Sequence, residues 1–242
     1  TTIAGSVVSY LFVQPAANFY SLIFRKMTMR NDGGGSCFAT GTSLTKAIRN
    51  DFRDVSFVTS GSPVRVESGS VSLHRWSADI GTFGRVVQAD YASDFDIAVT
   101  SGVGRGGQAI VAFRGLGTSS CRIENVTGIG QSIAVSYATP AAVNFPTTRN
   151  CAASGSPVCN DSRTTKTNVD GLVDYNAGTA ASSSLVGGAQ HSIVSANLGM
   201  IGTTGMPAPG SILLGAGLAD AGPTSDRVGV TYLTPKNIGA FS

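Results

Sequence analysis

In several segments of the chain apolar side chains recur at every second position. Val64 and Val66 alternate with Arg65 and Glu67, and Ile133, Val135 and Tyr137 share one face of a later run. A period of two, in short segments bounded by Gly, Pro, Asn and Asp, marks half-buried strands. Strands are expected over 6–14, 18–30, 72–76, 85–89, 95–100 and 108–114, and again over 211–214 and 228–233. Turns are expected at 31–36 and 206–210. One segment breaks the pattern. Leu44, Ala47, Ile48, Asp51, Phe52 and Val55 follow at intervals of three and four, with Ser43 as N-cap and Lys46, Arg49, Asn50 and Arg53 on the opposite side. That spacing predicts a short amphipathic helix near residues 44–54. The whole reads as a mainly β chain, an antiparallel sandwich or barrel-like domain of jelly-roll or Ig-like type. No internal repeat and no dividing linker stand out, so 1–242 reads as a single β-rich domain, with a loop-rich, disulfide-pinned region near 138–186.

Composition sharpens this picture. Gly contributes 31 of 242 residues and Pro 9, which opposes long helices, since each interior Gly costs about 1 kcal/mol relative to Ala. Charged residues are only 13%, so Ser, Thr, Asn and Gly carry the polarity. The net charge is +3, and the densest basic group is Arg25, Lys26 and Arg30. That is too sparse for a phosphate-tracking surface, so no nucleic acid is indicated. No run of 18 apolar residues exists to span a membrane, and no signal peptide is seen at the start of the sequence. Asn125-Val-Thr and Asn160-Asp-Ser match the glycosylation acceptor pattern.

The four cysteines lack metal-site spacing. Their even number in a hydroxyl-rich chain suggests two disulfides, Cys151–Cys159 across a short turn-rich loop and Cys37–Cys121 tying distant strands, and hence an extracellular or cell-surface location, with periplasmic export or a virion surface as variants. Asp90, Asp94 and Asp96 form the densest acidic group. Carboxylates at alternate strand positions share a face, and with Asp90 they would suit Ca2+. The alternative is that Asp94 caps a turn and Asp96 is hydrogen-bonded to the backbone. No other cofactor is indicated.

No catalytic constellation emerges. His74 and His191 lack a Gly-Asp-Ser-Gly or Gly-x-Ser-x-Gly serine to activate. Residues 102–107 fit G-x-G-x-x-G, but a strand, not a helix, is expected after them, so a hairpin turn is predicted. The expected function is therefore structural: a self-assembling subunit of a pilus-like filament or a shell, joined through β-strand contacts. The assembly strand would be Ile3, Val7, Val8, Tyr10, Leu11, Phe12 and Val13, in a stretch with no charge before Arg25. The first alternative is a carbohydrate- or surface-binding module of lectin or adhesin type, with a glycan as partner. The second is a secreted hydrolase on a β scaffold.

Overall fold

The computed structural model describes residues 1–5, 10–14, 20–40, 48–89, 95–113, 120–136, 147–161, 173–180, 191–202, 204–219 and 222–242. The strands form successive coils. The first holds β1 (Thr2–Gly5) and β2 (Tyr10–Gln14), the second β3 (Leu22–Asn31) and β4 (Ser36–Thr40), and the third β5 (Arg49–Thr59) and β6 (Val64–Val66). The fourth holds β7 (Gly69–Ile80) and β8 (Arg85–Ala89), the fifth β9 (Phe95–Arg105) and β10 (Ala109–Phe113), and the sixth β11 (Ser120–Ile129) and β12 (Ser132–Ser136). The seventh is split into β13 (Thr147–Arg149), β14 (Ala152–Pro157) and β15 (Cys159–Asp161). β16 (Val173–Asp174), β17 (Ala177–Ala180) and β18 (Ile193–Val194) close the series. β19 (Met200–Ile201) and β20 (Met206–Pro207) form a small antiparallel pair apart from it.

Every pairing within the two large sheets is parallel. The first sheet runs β1-β3-β5-β7-β9-β11-β14-β17-β18, and the second runs β15-β12-β10-β8-β6-β4-β2. The chain thus climbs one strand spacing per coil, alternating between the sheets. This is a parallel β-solenoid, not the antiparallel sandwich or barrel the strand pattern suggests. Alternation along a strand reports which side is buried and is blind to the direction of its neighbour. The absence of a visible repeat has a similar cause. Residues paired on adjacent coils are separated by 28, 21, 26, 24 and 25 positions in turn, so no fixed period survives.

The predicted helix is a strand. Residues 49–59 form β5, in which Asn50, Phe52, Val55, Phe57 and Thr59 are buried; Ser43, Leu44 and Ala47 lie outside the described residues. The step of three from Phe52 to Val55 imitates a helical interval because Asp54 stands at φ 56. A left-handed residue skips one place in the alternation and bends the strand, as a bulge does. The same device recurs in each full coil: Lys26, Asp54, Arg75, Ser101, Asn125, Asn150 and Tyr175 all have φ between 50 and 56. Registers align them, since Arg53 faces His74 and Ser56 faces Ser77, with two residues of each strand between them outside the ladder. The first sheet is therefore folded along a line of left-handed corners.

Side chains before and after each corner fill the interior. Phe24 stacks on Phe52 at 4.7 Å, and Phe38 meets both edge-on at 5.6 and 5.2 Å. Each such pair adds about 0.5–1.5 kcal/mol beyond burial. Trp76 is fully buried above Gly102, where an added Cβ would lie 1.9 Å from the indole. This explains the glycines of 102–107. Gly102 lies within β9 opposite Trp76, and Gly106 and Gly107, at φ 71 and 74, turn the chain toward β10 in the other sheet. The turn joins two unpaired strands, so it is not a hairpin.

All four cysteines are free thiols, which removes the two predicted disulfides. Cys37 lies in the second coil and Cys121 in the sixth. Four strand spacings, about 19 Å, separate them, far outside disulfide reach. Cys151 directs its thiol to the carbonyls of Arg149 and Ile123, at 3.2 and 3.6 Å, and Cys159 is buried as a small core side chain. The compartment inferred from disulfides loses that support.

The expected strands 211–214 and 228–233 are turns and extended chain, apart from one bridge between Ser225 and Thr231. This C-terminal segment lies along the corners of the later coils. Asn150 exchanges two hydrogen bonds with Leu218, donating to its carbonyl at 2.9 Å and accepting from its N–H at 2.7 Å. Ser101 donates to the Ser225 carbonyl, and Thr127 accepts from the Ala240 N–H. Ala152 and Ala177 pack with Leu198, Leu213 and Ile238. The Asp226 carboxylate accepts from Val228, Val230 and both donors of Ser242, which shapes the segment's last loop.

Gly102→Ala drives a methyl into Trp76 and is expected to cost about 3 kcal/mol by urea unfolding. Gly130→Ala, at φ 73 with nothing nearby, carries only backbone strain and should cost about 1 kcal/mol. The Cys37 thiol is pushed up to about 12 by burial, and burial also raises that of Cys151. Four thiols per chain should alkylate in denaturant without reductant, and Cys37 and Cys151 should resist alkylation at pH 8 in the folded protein, as peptide mass mapping would show.

Candidate functional sites: an outward groove and an end face

Strand alternation sends one set of side chains out of the solenoid. Ahead of the corner, β5 presents Arg49, Asp51 and Arg53, and β7 presents Ser70, Ser72 and His74. β9 presents Asp96, Ala98 and Thr100, and β11 presents Ser120, Arg122 and Glu124. The registers set Arg49 beside Ser70, Asp96 and Ser120, and Asp51 beside Ser72, Ala98 and Arg122. Ser70, Ser72 and Ala98 are small, so they leave a floor between taller walls. The result is a groove of about 470 Å³ lined by Arg49, Asp51, Ser72, Asp96, Ser120 and Arg122, among others.

The acidic groups of the groove are fixed in place. Asp51 accepts from Ser72 Oγ and, at 2.9 Å, from Arg53. Asp96 accepts from Ser120 Oγ at 2.6 Å. Arg122 approaches Glu124 at 3.4 Å. Of the three aspartates expected to hold Ca2+, Asp90 and Asp94 lie outside the described residues, and Asp96 is engaged with a serine. Among the described residues no three His, Cys, Asp or Glu side chains gather as a metal site.

The two histidines stand apart. His74 Nδ1 lies 3.0 Å from Thr100 Oγ1 on the next coil. Burial and then the neighbouring Arg75 hold its imidazole below the ordinary value, with Asp54 acting the other way. His191 Nδ1 lies 2.7 Å from Asp174 Oδ2, its backbone N–H donates to Oδ1 at 2.9 Å, and its ring stacks on Tyr175 at 4.4 Å. A base held by an acid is half of a hydrolytic triad, but among the described residues no serine hydroxyl is hydrogen-bonded to either imidazole.

The expected assembly segment falls at one end of both sheets. β1, containing Ile3, and β2, containing Tyr10, Leu11, Phe12 and Val13, are the outermost strands of their sheets. Val7 and Val8 lie outside the described residues. Phe12, Leu22 and Phe24 are only partly buried there, so apolar interior reaches this end face. Among the remaining expectations, Arg25, Lys26 and Arg30 are exposed, with Arg30 paired to Asp32 at 2.7 Å. Asn125 is fully buried at a corner, which shields that acceptor from glycosylation in the folded chain; Asn160 lies in β15. Among the described residues no helix is long and apolar enough to cross a membrane.

Sequence reasoning named Asp96 but missed Arg49, Asp51, Ser72, Ser120 and Arg122 as a group. Only the coil register brings them together. No family model, curated protein or solved structure matches the chain.

The Asp174 pair gives a pH signature. Partial burial pushes its carboxyl up, but hydrogen bonds from His191 and Tyr175 outweigh this and hold it below the ordinary 3.8. A depressed folded value stabilises the fold above the unfolded value, and that contribution fades as pH falls from about 3.8 through the depressed one. Asp174→Asn should lower the melting temperature at neutral pH and flatten its decline in that acid window, by scanning calorimetry across pH.

Proposed function

We propose that the protein is a structural subunit that assembles by stacking solenoid ends, outside the cytoplasm in keeping with its charge-poor, hydroxyl-rich composition. The observation that carries this is the end face made by β1 and β2. Both sheets stop there together, and apolar interior reaches the surface at Phe12 and Phe24. The strand edges beyond β1 and β2 meet no strand among the described residues. Such edges pair readily with a further strand. Because all strands of the two sheets run parallel, the complement of this end is the opposite end of the same solenoid, bounded by β18 and β15. Head-to-tail contact of that kind is heterologous and grows into a filament unless rotation closes it.

The test is the mass of the protein by light scattering across a concentration series, with negative-stain microscopy of the same samples. Concentration-dependent growth into rods or rings is expected. Thr2 and Ala4 are exposed on β1, so T2K/A4K, which places charge on the edge, should return the protein to monomers with an unchanged circular dichroism spectrum. A wild-type monomer at every concentration contradicts stacking, and an unaffected T2K/A4K assembly contradicts this end as the contact.

A further inference from the structure

From the geometry of the groove we infer a second, separate function: the outward face of β5, β7, β9 and β11 binds an uncharged, hydroxyl-rich oligosaccharide. Its volume of about 470 Å³ lies within the usual range for small-ligand sites. The chemistry of the lining then narrows the ligand. Two guanidiniums, Arg49 and Arg122, balance two carboxylates, Asp51 and Asp96. A site without net charge gives no long-range pull to a polyanion or a polycation.

The side chains between these charges are the hydroxyls of Ser70, Ser72, Ser120 and Thr147 and the methyl of Ala98. No aromatic side chain lines the groove, and Val71 and Ile97 belong to the buried core. That floor suits a ligand recognised through many polar contacts. A saccharide is such a ligand, because each ring carries adjacent hydroxyls that donate to a carboxylate and accept from a guanidinium.

The acceptors are also arranged in advance. Asp51 is held from one side by Ser72 and from the other by Arg53, and Asp96 by Ser120. Each carboxylate oxygen has lone pairs beyond the bond it already accepts. Little side-chain freedom is then lost when a sugar hydroxyl donates to it. The groove lies on the parallel sheet itself, between β5 and β11, about 14 Å apart across three strand spacings. That width takes a single saccharide chain lying along the strands.

The experiment titrates the whole protein by calorimetry with three uncharged probes, cellopentaose, maltopentaose and mannopentaose, and with trigalacturonate as an acidic comparator. At least one uncharged probe should bind with a dissociation constant in the millimolar range or below, and more tightly than trigalacturonate. Ala98→Phe fills the floor from outside the core and should abolish that binding while leaving the melting temperature within a few degrees. Asp51→Asn and Arg122→Gln should each weaken binding tenfold or more. Absence of heat with all three uncharged probes at millimolar concentration overturns the inference. So does tighter binding of trigalacturonate, or binding that Ala98→Phe leaves intact. T2K/A4K should bind the same sugar unchanged, so failure of end stacking and failure of the groove are told apart.

Discussion

Seven residues in consecutive coils share one backbone state, and the rest of the structure hangs on it. A left-handed residue between two inward-facing positions breaks the alternation of a strand and folds the sheet. For residues other than Gly this conformation is disfavoured by roughly 1–2 kcal/mol. The chain meets that cost differently along the stack. Asn125 and Asn150 tolerate the conformation best. Asp54 and Arg75 face one another on adjacent coils, and the guanidinium holds both carboxylate oxygens at 2.8 Å. In the later coils the corners are held instead by the C-terminal segment, through Ser101 and Asn150.

The corner line divides the outer surface into two uses. Past the corner, small outward residues such as Ala152 and Ala177 accept the C-terminal segment and are buried by it. Ahead of the corner the C-terminal segment meets Glu124 at Gly222, while the positions from Arg49 to Arg122 line an open groove. There the outward positions carry charges and hydroxyls over small floor residues, which makes the groove. The inward columns are continuous from Phe24 through Phe52, Leu73 and Val99 to Ile123. That continuity makes the end face apolar, because a column of stacked side chains has an exposed last member.

The β content and many strand positions were legible. The runs at 64–66 and 95–100 alternate cleanly and lie in β6 and β9, and the expected strand 85–89 coincides with β8. Strand direction was not legible, since parallel and antiparallel neighbours bury the same side chains. The helix at 44–54 was read from a step of three that the left-handed Asp54 creates. The same step was present at four of the seven corners as an apolar–polar–polar–apolar run, in Phe24-Arg-Lys-Met, Phe52-Arg-Asp-Val, Leu73-His-Arg-Trp and Ile123-Glu-Asn-Val. Aligning those runs would have revealed the coils and, with them, the groove. The cysteines misled because an even count says nothing of distance along a solenoid.

The core columns, the groove and the end face all depend on parallel, in-register stacking of adjacent coils. Ser56 and Ser77 test it most directly, because their hydroxyls meet at 2.9 Å across β5 and β7, outside the core and 21 residues apart. Directly opposed positions on neighbouring parallel strands fall within the Cα separation a disulfide requires. The variant S56C/S77C, mildly oxidised while folded, should lose two hydrogens and yield one cross-linked peptide joining these two positions. If both introduced thiols stay reduced and accessible, the coils are not stacked in this register, and neither the groove nor the end face exists as described.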